Sequence, residues 1–373
     1  MKTSRSGRTA LAAGLALSVL TGVGTARPAG AETAPLAVYD ALAASRSVTM
    51  QPRAAAVLSL VVTQYVGATH ALLDSAPRAQ GYAATYGVPV ANDARGAGIP
   101  FDYGGQCYAN YPGNAQADCG IPISGVVAPR PPAGSPFDGG VFFARATAAG
   151  DPVLPEKLAA SGITEGGGMA LGDVVRIGFS QSNSRAFIDA DGVHAVTASA
   201  AENIQVGEAL HIVSLTARAE AVHNGDLEAA QGSAATTFEG VTIGGVPVEI
   251  GPEGVMVQGQ KVSEAPSPDA AAVRDAMAAE GLTIEPLAGS AIRKDENTGF
   301  VTAETHGVRV LFRRPSGDRF DLTLGDATAR AAAAVRAGTS GSDDLFLASD
   351  EAPSGTVTAA ATLLAVPGRR RRS

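Results

Sequence analysis

The residues of this chain whose types could do chemistry are two cysteines, five histidines and a few short runs of acids or hydroxyls. Cys107 and Cys119 lie in a loop-like stretch, Tyr103-Gly-Gly-Gln-Cys107-Tyr-Ala-Asn-Tyr-Pro-Gly-Asn-Ala-Gln-Ala-Asp-Cys119-Gly. Two thiols alone make a poor zinc site, and no histidine stands within ten residues of either. A bridge between them would close a short loop and contribute roughly 3 kcal/mol. The expectation is a Cys107–Cys119 disulfide.

The histidines, His70, His194, His211, His223 and His306, are spread along the chain, and none pairs at the spacing of a helical metal site. By strand parity His211 and His223 share a face, but at opposite ends of one strand, roughly 40 Å apart. Gly178-Phe-Ser180-Gln-Ser182 has the start of a nucleophile elbow, yet the second glycine and the following helix are missing. Asp189-Ala-Asp191-Gly192 has the start of a calcium loop without its third carboxylate or its bidentate glutamate. A hairpin turn accounts for it better. Asp295, Glu296 and Asn297 before Gly299 read as another turn, and Asp343-Asp344 and Asp350-Glu351 as solvated charge. Gly166-Gly-Gly168 has no phosphate-loop lysine after it. On these residue patterns the expectation is no catalytic, cofactor-binding or metal-ligating residue.

The elements that would position such groups are extended. Asp191-Gly192, Asn224-Gly225, Glu253-Gly254 and Ser316-Gly317 supply the positive φ of tight hairpins. Between them run segments of period two. Over Leu210–His223, Val213, Leu215, Ala217, Ala219 and Ala221 form one face, and over 173–187 so do Val175, Ile177 and Phe179. Val308, Val310 and Phe312 alternate with Arg309 and Arg313, and Phe320, Leu322 and Leu324 with Asp321 and Thr323. Residues 242–250 and 254–257 read as shorter hairpins. One helix interrupts them at about 268–280. Ser267 is its N-cap, Pro268 its first residue, and Gly281 its stop. Residues 326–338 fit a helix or a small-residue strand, 36–46 and 55–66 a strand or a short helix, and 77–140 is loop-dominated. The fold class expected is mainly β, with long antiparallel hairpins in a sandwich or curved sheet.

The ends point to export. Lys2, Arg5 and Arg8 precede the apolar run 10–23, and Ala29-Gly30-Ala31 offers a cleavage site, which is the order of a signal peptide over 1–31. The division that follows is a β/loop region over 32–172, a β-rich region over 173–350, and an apolar segment with a basic tail over 351–373. The apolar run 357–366 has about half the length a bilayer requires and reads as a strand, followed by Arg369–Arg372. The whole chain carries 28 basic against 36 acidic residues, and removing 1–31 leaves 24 against 36. Such a body argues against nucleic acid as a partner.

With those strands and turns in view, the chain resembles a group of exported β-rich proteins of high-GC Gram-positive, actinobacterial origin. Gln80-Gly-Tyr-Ala-Ala-Thr, Cys107-Tyr-Ala-Asn-Tyr-Pro-Gly113, residues 209–219, Phe238–Ile250 and Leu322-Thr-Leu-Gly-Asp-Ala carry the likeness. The resemblance implies no activity and carries over no catalytic residue. Taken together, the expectation is a non-catalytic extracellular or envelope-associated protein. Its partner would be a wall polymer or another surface protein, with no spanning helix in the mature chain. Two alternatives stay open: a secreted hydrolase working through carboxylates that meet only in the fold, and a calcium-stabilised adhesion module.

Overall fold

The computed structural model describes residues 36–53, 64–87, 106–120, 142–151, 157–171, 174–287, 289–314, 317 and 319–335. The fold is mainly β, antiparallel throughout, with two eight-stranded sheets packed face to face and no closed barrel. The segments thought to signal a leader (1–31) and an apolar tail with basic end (351–373) lie outside the described residues.

The chain enters the first sheet through β1 (Leu36–Arg53), β2 (Gln64–Asp74), β3 (Arg78–Gly87) and β4 (Gln106–Tyr111). It then builds the whole second sheet as a meander: β5 (Gln116–Gly120), β6 (Phe142–Ala149), β7 (Ala159–Leu171), β8 (Val175–Asp189), β9 (Gly192–Val206), β10 (Leu210–His223), β11 (Gln231–Ile243) and β12 (Val246–Pro247). A small sheet of β13 (Glu249–Gly251), β14 (Gly254–Val257) and β15 (Gln260–Lys261) follows, then α1 (Pro268–Ala279). The chain returns to the first sheet with β16 (Leu282–Pro286), β17 (Ala291–Asp295), β18 (Phe300–Arg313) and β19 (Arg319–Val335), and β19 pairs with β1. The first sheet is thus assembled from both ends of the sequence. β7 and β8, on either side of residue 172, are neighbours in the second sheet.

Several ambiguous segments are settled here. Residues 326–335 continue β19 as a strand rather than a helix, and 36–46 belong to β1. Within 77–140 the described residues form β3, β4 and β5 rather than loops. Cross-strand pairing, which sets Tyr82 opposite Tyr108 between β3 and β4, outweighs the turn propensity of the nearby glycines.

The interior has three zones. One end is filled by branched aliphatics, among them Val48, Ile177, Ile204, Leu215, Leu322 and Leu324. The other end is mostly alanine, including Ala41, Ala43, Ala71, Ala146, Ala219 and Ala329. Between them lies a buried layer of hydroxyls: Ser45, Ser47 and Thr69 from the first sheet, and Ser180, Ser182, Ser184, Thr197 and Ser199 from the second. They bond to one another and across the gap. The Ser47 and Ser182 hydroxyls are 3.1 Å apart, and those of Thr69 and Ser184 2.7 Å. Ser45 and Ser47 also donate to the carbonyls of Ala198 and Ala200 in the opposite sheet. A buried hydroxyl is tolerated when it finds such a partner.

The same level of both sheets carries a line of paired irregularities. In the first sheet Ser47, Gly67, Gly307 and Gly325 drop out of the pairing register, and in the second Gly168, Gly178, Asn203, Val213 and Gly240 do so. On alternate strands the residue is left-handed: φ is +59° at Gly67, +73° at Gly325, +66° at Gly168, +51° at Asn203 and +61° at Gly240. Each strand therefore changes inward parity as it crosses the line. This corrects the single-face reading of two strands. Val213 is 47% exposed while Leu215 is buried, and Phe179 leaves the face that Val175 and Ile177 keep. It also puts His211 and His223 on opposite faces, with His223 buried and His211 only partly so.

Candidate anion-binding cleft

A cleft of about 660 Å³ opens at the end of the first sheet where β18 turns into β19. Its parts follow from local sequence. Ser267 caps α1, its hydroxyl accepting from the Ala270 N–H at 3.2 Å, and Pro268 presets the first turn. Arg274 ties the helix down by donating to the carbonyls of Val262 and Ala265. The helix stops at Gly281, whose φ is +62°. A Cβ there would come within 2.3 Å of the Arg313 carbonyl oxygen, so the absent side chain lets β16 lie directly against the end of β18. The Arg313 N–H donates to the Gly281 carbonyl at 3.0 Å.

Four arginines line the cleft: Arg309, Arg313, Arg314 and Arg319. Arg309 is committed, donating from two nitrogens to the Asp321 carboxylate and lying 3.4 Å from Glu285. Those bonds, the one to Asp321 foremost, raise its pKa further and keep it charged. Arg314 rests over the Phe320 ring at 5.7 Å. Arg313 and Arg319 are exposed, directly opposite each other in the β18–β19 register, and form no salt bridge with a described residue. Arg53 follows Arg319 in the same row, in the β1–β19 register. Like charges directly opposite across strands cost stability, so the Arg313–Arg319 pair opposes folding in a chain of net charge −8. Phe312 and Leu282 are buried on the core-facing side of the sheet, opposite the face that carries Arg313 and Arg319, and Leu311, Met277 and Phe320 are partly exposed around the cleft. The arrangement can hold a carboxylate or phosphate between two guanidinium forks.

The sequence reading missed this site because net charge hides clustering. The available signal was Arg313-Arg314 and Arg319 flanking one turn, with Arg309 two strand periods before Arg313.

The residues singled out from sequence go elsewhere. Ser180 and Ser182 are 1% exposed within the hydroxyl layer, out of a substrate's reach. The Asp189 carboxylate accepts the Asp191 N–H and lies 2.8 Å from the His194 ring nitrogen, closing the expected hairpin turn. Asp295 likewise accepts from Asn297 and Thr298, which lowers its pKa. His194 stacks on Phe187, and His306 bonds Asp326. His70 stacks on Tyr82, which in turn meets Tyr108. Burial, helped by the nearby Arg46 charge, lowers the His70 pKa to about 4. Two carboxylates do meet in the fold: Asp40 and Asp74 are opposite in the β1–β2 register. Burial raises the Asp40 pKa, but Arg330 lies 3.5 Å from Asp40 and Arg78 2.6 Å from Asp74, and neither acid lines a cavity described for the molecule. That is an ion-pair cluster rather than an acid–base site.

No group of three or more potential metal ligands occurs among the described residues. Nor is any described helix long and apolar enough to cross a membrane. Cys107 is buried on β4, with its sulfur 3.3 Å from the Ala144 carbonyl oxygen, and Ala144 is the register partner of Cys119 on β5. No family model, curated protein or solved structure matches the chain.

Proposed function

We propose that this is an exported, non-catalytic binding protein of the extracellular space or cell envelope, and that its ligand is an anion held by Arg313 and Arg319. The observation that carries the reading is the pair itself: two exposed arginines, directly opposite in the β18–β19 register and in no salt bridge with a described residue, in an acidic chain. Side chains that oppose folding are retained where a ligand repays them. An anionic envelope component is the partner this chemistry selects. The signal-like order of residues 1–31 supports export. So does the placement of Cys107 beside the register partner of Cys119, which suits a disulfide stapling the two sheets where β4 passes into β5.

Two measurements test it. Arg319→Gln should weaken binding of a polyanion such as polyglutamate at least tenfold while leaving the melting temperature equal or higher, because it relieves like-charge repulsion. Unchanged affinity would remove the site. The unreduced secreted protein should show a mass two hydrogen atoms below the reduced one, and alkylation of both Cys107 and Cys119 without reductant would exclude the bridge.

A further inference from the structure

A second, smaller cavity opens at the edge of the sandwich, where β11 of one sheet meets β18 of the other. It lies roughly 20 Å along β18 from Arg313. Its volume is about 170 Å³, the room of about six water molecules. Thr236 and Phe238 of β11 face Thr305 and Gly307 of β18 across the gap, and Ser290 closes in from the residues before β17. Ile250, Pro252 and Pro286 complete the lining. The Phe238 ring reaches over Gly307, where a Cβ would stand 3.1 Å from its Cζ. Beside the ring lies a trio of hydroxyls. Thr305 is 1% exposed, lies 2.8 Å from the Thr236 oxygen and accepts from Ser290 at 3.1 Å. Whichever of Thr236 and Thr305 donates, these two bonds use two of the trio's three hydrogens. One O–H and several lone pairs are left for a further molecule. Among the described residues of the lining only His306 can carry a charge, and its ring bonds Asp326 on the outer face of β18, away from Thr305. An ion would find no counter-charge here, and a hydrocarbon would strand the spare hydroxyl hydrogen. A sugar ring supplies both kinds of partner: C–H faces for the aromatic and proline surfaces, and a rim of hydroxyls for the trio. We infer that this crevice binds one neutral sugar unit, its ring against Phe238 and its hydroxyls on Thr236, Ser290 and Thr305. The site is separate from the arginine pair and does not rest on the anion-binding reading.

The test is amide chemical-shift titration of the full-length protein with the methyl glycosides of glucose, galactose, mannose and N-acetylglucosamine. Glycerol and cyclohexanol are the comparison ligands. At least one glycoside should shift residues 236–238, 250–252, 286–290 and 305–307 in a saturable way. Glycerol lacks the ring and cyclohexanol the hydroxyl rim, so each should bind about tenfold more weakly or worse. Ser290 is exposed, so Ser290→Ala should leave the fold intact; it should weaken the glycoside about fivefold, the worth of one hydrogen bond. Phe238→Leu should weaken it as well, with a melting curve to show the variant folded. Arg313→Gln/Arg319→Gln should leave glycoside affinity unchanged. Shifts at these residues with none of the glycosides would reduce the crevice to a solvated gap and overturn the inference. Cyclohexanol binding as tightly as the glycoside, or affinity untouched by Ser290→Ala, would overturn it too. Loss of glycoside binding in the double arginine variant would move the sugar to the other cleft and equally contradict it.

Discussion

Gly81 and Gly162 measure how closely the two sheets approach. A Cβ on Gly162 would stand 1.9 Å from the Tyr82 carbonyl oxygen, and one on Gly81 2.3 Å from that of Ser161. Backbone atoms cannot swing aside as a side-chain tip can, so Gly162→Ala must push the sheets apart. It should cost about 3 kcal/mol, at the upper end of overpacking penalties, and thermal unfolding of the variant reads it directly. A chain with 45 glycines has many positions at which two sheets can approach closely. Which glycines face across the gap was not legible, because that depends on β3 packing against β7 of the other sheet, some eighty residues apart. The role of Ser180 and Ser182 was hidden in the same way: a hydroxyl in a strand reads alike whether it meets solvent or a serine of the other sheet.

His70 supplies the pH dependence at this scale. Its pKa falls from 6.5 to about 4 on folding. The unfolded chain therefore takes up the proton first as pH drops. The contribution is full above pH 6.5, declines between 6.5 and 4, and changes no further below. It amounts to at most about 3 kcal/mol. His70→Phe, which keeps a ring beside Tyr82, should remove that limb from a plot of denaturant midpoint against pH. An unaltered limb would assign the effect to other groups.

Among the elements, α1 and the hairpins were the most readable, because caps and turns are written in neighbouring residues. Ser267, Pro268 and Gly281 mark the helix within a residue of where it lies. The parity change was unreadable, because a register irregularity is a property of paired strands. Asn203 and Gly240 look like ordinary strand residues until Val213 is seen between them. The two readings of β10 differ in a measurable way. Val213→Ser should change stability by less than about 0.5 kcal/mol, since the side chain is already in solvent. Leu215→Ala should cost about 2–5 kcal/mol, since that residue lies in the aliphatic end of the core. A strand keeping one inward face through residues 210–223 would make both costly.

For the whole molecule, the sequence conveyed the class of fold but not its closure. β1 and β19 are joined by pairing over nearly the entire described chain, so the first sheet cannot be completed until the second has formed or been bypassed. The same closure brings Arg53, Arg313 and Arg319 into one row at the end of an otherwise acidic body, and no local pattern could reveal it. The claim on which the functional account stands is that this end of the sandwich receives an anion. Amide chemical-shift mapping of the full-length protein during titration with polyglutamate tests it most directly. Shifts concentrated at residues 277–283, 309–314 and 319–321, absent in Arg313→Gln/Arg319→Gln, are the result expected. Shifts centred on any other part of either sheet, or unaltered by removing both arginines, would contradict it.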